Sequence, residues 1–186
     1  MRVDMHAHYV PTKVLTVLEQ NAASYGVSLE AAAAGGRCLH FGYGLTIRPF
    51  FPRLLDLETR WGEMDRQGVD RQILSVWADL FGYGMPSDEA TRWHRLLNES
   101  LCEVARKHSQ RLSALASVPL QDARQAAREL EHGVRQCGAV GGVIAANVEG
   151  VNLGESPLDE FWAAAVELDV PLFIHPTQPT PLPRTR

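Results

Sequence analysis

From residue 53 onward the chain repeats one pattern four times: an amphipathic stretch of helical period, a turn signal, and a short apolar run of strand length. Leu54, Leu57, Trp61 and Met64 share a helical face ahead of Gly68 and the run Gln72-Ile73-Leu74-Ser75-Val76. Ser87 reads as the cap of a long helix bearing Ala90, Trp93, Leu97, Leu101 and Val104, which leads to the run Leu112 to Val118. Asp122 with Gln125 resembles a capping box before Ala126, Ala127, Leu130 and Val134, and Gly138 closes that helix ahead of Val140 to Ala146. Ser156-Pro157 reads as a cap and first-turn proline for Leu158, Phe161, Trp162, Ala165 and Val166, before the last run, Pro171 to His175. With Val3 to His8 as the opening strand, five strands are separated by helices, which demands parallel pairing through right-handed crossovers. We expect the order 1-2-3-4-5, curved as a barrel sector with helices on one face, against the alternative of a doubly wound sheet with a strand reversal.

The region between the first and second strands breaks this rhythm. Pro11 reads as a first-turn residue of a helix with Val14, Leu15, Val17 and Leu18, and a less regular stretch follows it. Residues 35–51 read as a small β-hairpin insertion: Arg37-Cys38-Leu39-His40-Phe41, the turn Gly42-Tyr43-Gly44, then Leu45-Thr46-Ile47-Arg48. Neither Gly42-Tyr43-Gly44 nor Gly82-Tyr83-Gly84 has the third glycine or the strand-to-helix setting of a dinucleotide loop, so both read as turns.

The 186 residues suffice for one sizeable core and are too few for two ordinary domains, so residues 1–176 read as one unit. With 18 basic against 22 acidic residues, a net charge of -4 and no basic run, nucleic acid is not an expected partner. No apolar stretch approaches the ~18 residues of a membrane span, and a strand starting at residue 2 leaves no room for a secretory leader, so a soluble, cytoplasmic protein is expected. Cys38, Cys102 and Cys137 form no Cys-x-x-Cys pair and read as reduced. His40, His94, His108 and His132 fall mostly in helical patterns among charged neighbours and read as solvated, with His40, beside the glycine-rich turn, held in reserve.

Three other histidines stand apart because each ends an apolar run. His6 and His8 are two residues apart in a strand, so both imidazoles fall on one face, with Asp4 behind them on that side. His175 ends the last run and is followed at once by Pro176, which stops the strand. Carboxyl ends of strands are where alternating α/β folds place their ligands, and neutral imidazoles converging on a point suit a divalent ion. The bland alternative is a solvated strand face for the pair and a satisfied core histidine for His175.

The segments Val3-Asp4-Met5-His6-Ala7-His8-Tyr9-Val10-Pro11, Arg60-Trp61-Gly62-Glu63-Met64-Asp65-Arg66-Gln67-Gly68-Val69, Asn98 in its helix, and Leu172-Phe173-Ile174-His175-Pro176 resemble the amidohydrolase superfamily, nearest the branch of aminocarboxymuconate-semialdehyde decarboxylase. The resemblance covers essentially the whole chain and keeps the motifs in order. It implies a distorted (β/α) barrel, TIM-type, of which this chain holds about the first five of eight units, and one divalent metal, most commonly zinc. It maps the metal ligands onto His6, His8 and His175, leaves Asp4 either supporting them from behind or as a buried strand-end polar group, and brings Arg48 near a position that binds the substrate carboxylate, the competing reading being an exposed hairpin charge.

In that family a histidine from the sixth strand and an aspartate from the eighth complete the site, and both are missing here, so no catalytic residue is assigned within the chain. The expected activity is decarboxylation of a small unsaturated or aromatic carboxylic acid through a metal-activated water. The alternatives are a metal-dependent lactone or amide hydrolase of the same superfamily, and a non-catalytic α/β module that works by assembly with a partner. Self-association into a homo-oligomer is compatible with any of them. The stretch from Pro176 to Arg186 carries four prolines, so residues 177–186 read as an extended, mobile tail, and the chain as the N-terminal part of a longer enzyme.

Overall fold

The computed structural model describes residues 1–32, 35–47 and 49–177. Strand β1 (Val3–His8) is followed by helix α1 (Thr12–Asn21), which starts after Pro11 rather than on it; the ring closes off the helix entry as N-cap. Strands β2 (Val27–Ala31), β3 (Arg37–Phe41) and β4 (Thr46–Ile47) then form a separate antiparallel sheet in that order. β2 lies in the stretch that sequence reading left irregular. Its strand character comes from partnership, since Val27 to Ala31 pair with Phe41 to Arg37 across the whole length. Gly26, at φ 67, ends the preceding 3-10 turn in a conformation that suits glycine and turns the chain into β2.

The alternating part begins with short helix α2 (Pro52–Leu55) and helix α3 (Leu57–Gln67), which Gly68 closes in the left-handed region. Strand β5 (Arg71–Ser75), helix α4 (Ser87–Lys107), strands β6 (Leu112–Ala114) and β7 (Ala116–Ser117), helix α5 (Ala123–His132), strand β8 (Gly142–Ala145), helix α6 (Asp159–Glu167) and strand β11 (Leu172–His175) follow, with a two-stranded ribbon, β9 (Asn147–Val148) and β10 (Val151–Asn152), after β8. The parallel pairs run β1-β5-β6 and β7-β8-β11. Residues 112–117 join the two sets: the Leu115 N–H donates to the Leu74 carbonyl at 2.8 Å, and the Ala116 N–H to the Gly141 carbonyl at 2.9 Å. The strands are therefore laid down in chain order with no reversal about β1. β1 and β11 are outermost, each bonded on one side only among the described residues, and Met5 and Ile174 are exposed on them.

Two helix starts differ from their sequence signals. Ser87 is the first residue of α4 rather than its cap, which falls on Pro86, because the Ser87 hydroxyl donates to the Asp122 carboxylate at 2.6 Å, a charged acceptor on a distant segment. The last helix starts at Asp159, past Ser156-Pro157, because Asn152 and Glu155 form a capping box on an intervening 3-10 turn and the Ser156 hydroxyl donates to the Asn152 carbonyl. Among the described residues no helix is long and apolar enough to cross a membrane.

His94 corrects the expectation of a solvated ring. It shares the face of α4 that carries Ala90, Leu97 and Leu101, and it is fully buried. Its Nδ1 lies 2.9 Å from Ser117 Oγ, and the Asn98 side-chain Oδ1 accepts from the Ser117 N–H at 2.8 Å. Asn98 also donates to Glu129, a buried carboxylate paired with Arg95 at 2.9 Å, so α4, α5 and β7 are tied by one polar network. Burial pushes the His94 pKa down to about 3, with the Phe81 backbone opposing part of the effect. The ring is then neutral in the fold above about pH 3, whereas in the unfolded chain it takes up a proton below about pH 6.5. Its contribution to stability is complete above pH 6.5 and is lost progressively down to pH 3, amounting to roughly 2 kcal/mol by pH 5. Urea titrations at pH 7.5 and pH 5 should show that loss, and His94→Gln, less stable at pH 7.5, should show a smaller dependence; an equal dependence in the variant would assign the acid sensitivity to another group.

Candidate metal centre

Residues His6, His8 and His175 meet at the carboxyl ends of β1 and β11. The β1 register shifts between Asp4 and Ala7, yet both imidazoles fall on one side, with His6 Nε2 3.1 Å from His8 Nε2. His175 arrives from 167 residues away in sequence and puts its Nε2 3.1 Å from His8 Nε2. The three ligand atoms all lie within 4.8 Å of one another. The ring pairs are steeply inclined, His6 at 85° to His8 and at 90° to His175, so they converge edge-on instead of stacking.

The other nitrogens of two of these rings decide where the lone pairs go. His8 Nδ1 lies 3.0 Å from the Val76 carbonyl, which can only accept, and 3.1 Å from Ser75 Oγ. His175 Nδ1 lies 2.8 Å from the Pro176 carbonyl, again an obligate acceptor. Each ring therefore keeps its proton on Nδ1 and turns an Nε2 lone pair toward the other. Two lone pairs facing each other at 3.1 Å, with no proton between them, are the arrangement a cation satisfies. Two nitrogens held by one ion at about 2.1 Å each stand about 3.0 Å apart at a right angle and about 3.4 Å apart at the tetrahedral angle, so the spacing fits. Burial lowers the His8 pKa to about 4, and burial likewise lowers that of His175, so both rings are neutral near pH 7, as a ligand must be.

The strand end that carries this cluster is held from behind. Asp4 accepts from the His6 N–H at 3.1 Å and from the Gln72 side chain at 2.9 Å; Gln72 in turn accepts from Arg60 at 2.8 Å, and Arg60 also donates to the His8 carbonyl. Arg60 lies over the Tyr9 ring, 5.4 Å from its centroid. Asp4 thus fixes the backbone of the histidine pair. Sequence reasoning missed Arg60 and Gln72 as supports, although a glutamine inside an apolar run was a visible signal. It also passed over Asp79, in the turn Ala78–Leu80, whose carboxyl pKa is raised by burial and pulled the other way by His175. Around the imidazoles stand Phe173, 5.1 Å from His6, and Phe81, 6.3 Å from His175.

Of the remaining expectations, Arg48 lies outside the described residues, as do residues 178–186 of the expected tail. Thr177, the tail's first residue, accepts from the Asn147 side chain at 2.9 Å. His40 lies on the antiparallel sheet, with Nδ1 2.9 Å from Thr46 Oγ1 and Nε2 3.5 Å from Glu30, and is not part of the three-histidine group.

Comparison with known proteins gives a consistent picture. The sequence profile of a family described as "Amidohydrolase" matches residues 3–185. A 2-amino-3-carboxymuconate-6-semialdehyde decarboxylase from Dictyostelium discoideum is 27% identical over 176 residues, covering 95% of this chain and 49% of that protein. A gamma-resorcylate decarboxylase from Polaromonas sp. is 34% identical over 137 residues, covering 69% of this chain and 42% of the relative. The crystal structure of a 5-carboxyvanillate decarboxylase from Novosphingobium aromaticivorans, complexed with manganese and 4-hydroxy-3-methoxy-5-nitrobenzoic acid, superposes with a TM-score of 0.70 at 26% identity, covering 97% of this chain and 51% of that one. The chain spans about half the length of the relatives it matches.

Proposed function

The chain belongs to the amidohydrolase family, and from that premise we propose that it forms the N-terminal half of a metal-dependent decarboxylase acting on a small aromatic or unsaturated carboxylic acid. One observation carries the reading: His8 and His175 have their Nδ1 protons committed to backbone carbonyls and face each other, beside His6, with bare Nε2 lone pairs. Relatives that are decarboxylases by name support the reaction, and the half-length match together with the one-sided pairing of β1 and β11 supports a barrel completed by further β/α units. The free thiols of Cys38, Cys102 and Cys137 support a reducing, cytoplasmic setting.

In this proposal His6, His8 and His175 hold a divalent ion, with zinc suited to three imidazoles and manganese the ion in the related 5-carboxyvanillate enzyme. When bound, such an ion supplies Lewis-acid chemistry and lowers the pKa of a coordinated water. The residues of this chain do the positioning. The Val76 and Pro176 carbonyls hold the Nδ1 protons and so keep both rings from switching tautomer. Arg60, Gln72 and Asp4 clamp the backbone of His6 and His8. Arg48 is proposed to meet the substrate carboxylate, where a guanidinium offers two parallel donors. When the bond to the carboxyl carbon breaks, carbon dioxide leaves and the electron pair stays on the substrate carbon. The proton that then replaces it has no donor assigned within this chain.

The test is made on the complete polypeptide that contains this chain, supplied with 2,6-dihydroxybenzoate. Carbon dioxide and 1,3-dihydroxybenzene should appear, stop on chelation and return with added zinc or manganese, and Arg48→Ala should lower kcat/KM roughly 10- to 100-fold. Protein that carries stoichiometric metal yet releases no carbon dioxide from any aromatic or unsaturated acid would remove the decarboxylase reading.

A further inference from the structure

Past the end of β5, next to the residue whose carbonyl meets His8, stands an aromatic cluster with one exposed ring. The Phe51 side chain is 61% exposed, and its ring lies 5.7 Å from the ring of Trp77, tilted by 59°. Buried Phe50 holds the same indole from another direction, 6.2 Å away and close to T-shaped. An indole supported by one buried ring and one exposed ring is held firmly while leaving aromatic surface open to solvent.

Chain adjacency brings Trp77 close to the metal centre, because it directly follows Val76. β1 pairs with β5 so that His8 lies opposite Ser75, and Ser75 Oγ is 3.1 Å from His8 Nδ1, which puts Ser75 on the sheet face that bears the imidazole. The backbone remains extended at Trp77, with φ -61 and ψ 132, just past the carboxyl end of β5. Val76, between them, gives its carbonyl to His8 Nδ1.

We propose that Trp77 and Phe51 form the wall against which the planar ring of the substrate stacks while its carboxylate lies at the three-histidine centre, so that this pair selects aromatic over saturated acids. The proposal rests on the functional reading above and adds the residues that set specificity. A π face rewards a flat, polarisable ring beyond the area it covers, by a factor of about 2 to 12 in affinity, whereas a saturated ring of the same size gains only the area.

Binding of 2,6-dihydroxybenzoate and of cyclohexanecarboxylate to the complete, metal-loaded protein separates these contributions. Trp77→Leu keeps apolar bulk and removes the π face; it should weaken the aromatic acid about 3- to 10-fold and leave the saturated acid within about twofold, with Phe51→Leu acting in the same sense but less. Bound metal is measured in each variant and should be unchanged. The proposal is overturned if both variants bind the aromatic acid as the parent does, if both acids weaken equally, or if the parent protein shows no preference for the aromatic acid. Should Trp77→Leu not fold, Phe51→Leu decides alone, since most of that side chain is in solvent. Failure of the decarboxylase reading is seen separately, as absence of carbon dioxide release from the parent protein, and leaves the binding ratio readable.

Discussion

Replacing His8 with alanine in the complete enzyme is expected to abolish both stoichiometric metal binding and decarboxylation. His8 is the shared neighbour of the cluster: its Nε2 lies 3.1 Å from that of His6 and 3.1 Å from that of His175. Without it two imidazoles remain, too few to fix an ion in a defined geometry. Loss of an outer partner alone costs roughly 10- to 100-fold in metal affinity, and loss of a ligand should cost more, with turnover falling by on the order of 10³-fold or more as the Lewis acid is lost. Ser75→Ala is the informative contrast. It removes one of two groups near His8 Nδ1 but leaves the Val76 carbonyl, so metal should be retained with at most about a tenfold loss of affinity. Metal analysis after dialysis, with circular dichroism as the folding control, distinguishes them. Full occupancy in His8→Ala would show that the three histidines are not the binding group. His6→Ala is expected to behave like His8→Ala.

The 186-residue chain on its own should show little or no turnover, while a polypeptide extended through eight β/α units should be active with metal. Holding an ion needs imidazoles whose ring nitrogens converge, which this chain has. Releasing carbon dioxide leaves an electron pair that must be protonated, and a positioned acid or base is worth roughly 10²- to 10⁴-fold. Among the other histidines, His94 is locked in a buried network against Ser117 and His40 lies on the antiparallel sheet, so neither can serve. Among the described residues β1 and β11 also present unpaired edges, and the isolated chain should self-associate on concentration. Single-turnover assays on both polypeptides decide the point, and chelator-sensitive activity of the short chain within tenfold of the long one would place the proton donor inside these residues, with Asp79, beside His175, the first to replace.

The alternation of helix and strand, the parallel pairing it forces and the same-side placement of His6 and His8 were legible in the sequence, because each follows from the period of a single element. Legibility ended where a second element decides the outcome. His94 looks like a solvated ring among charged helix neighbours, and it is buried because Ser117 lies beneath that face of α4. Val27 to Ala31 carry no strong strand signal and become β2 through pairing with β3. Ser87 and Ser156 look like caps, but their hydroxyls are taken by Asp122 and by the Asn152 carbonyl.

The candidate site divides the same way. The sequence by itself determined which residues stand at strand ends, since local geometry sets the direction of side chains at i and i+2. Only the tertiary structure decided that His175 meets His8, that the Val76 and Pro176 carbonyls fix both tautomers, and that Arg60, Gln72 and Asp4 brace the strand from behind. Most of these contacts join residues far apart in the chain, and no period within one element encodes a distance across the sheet.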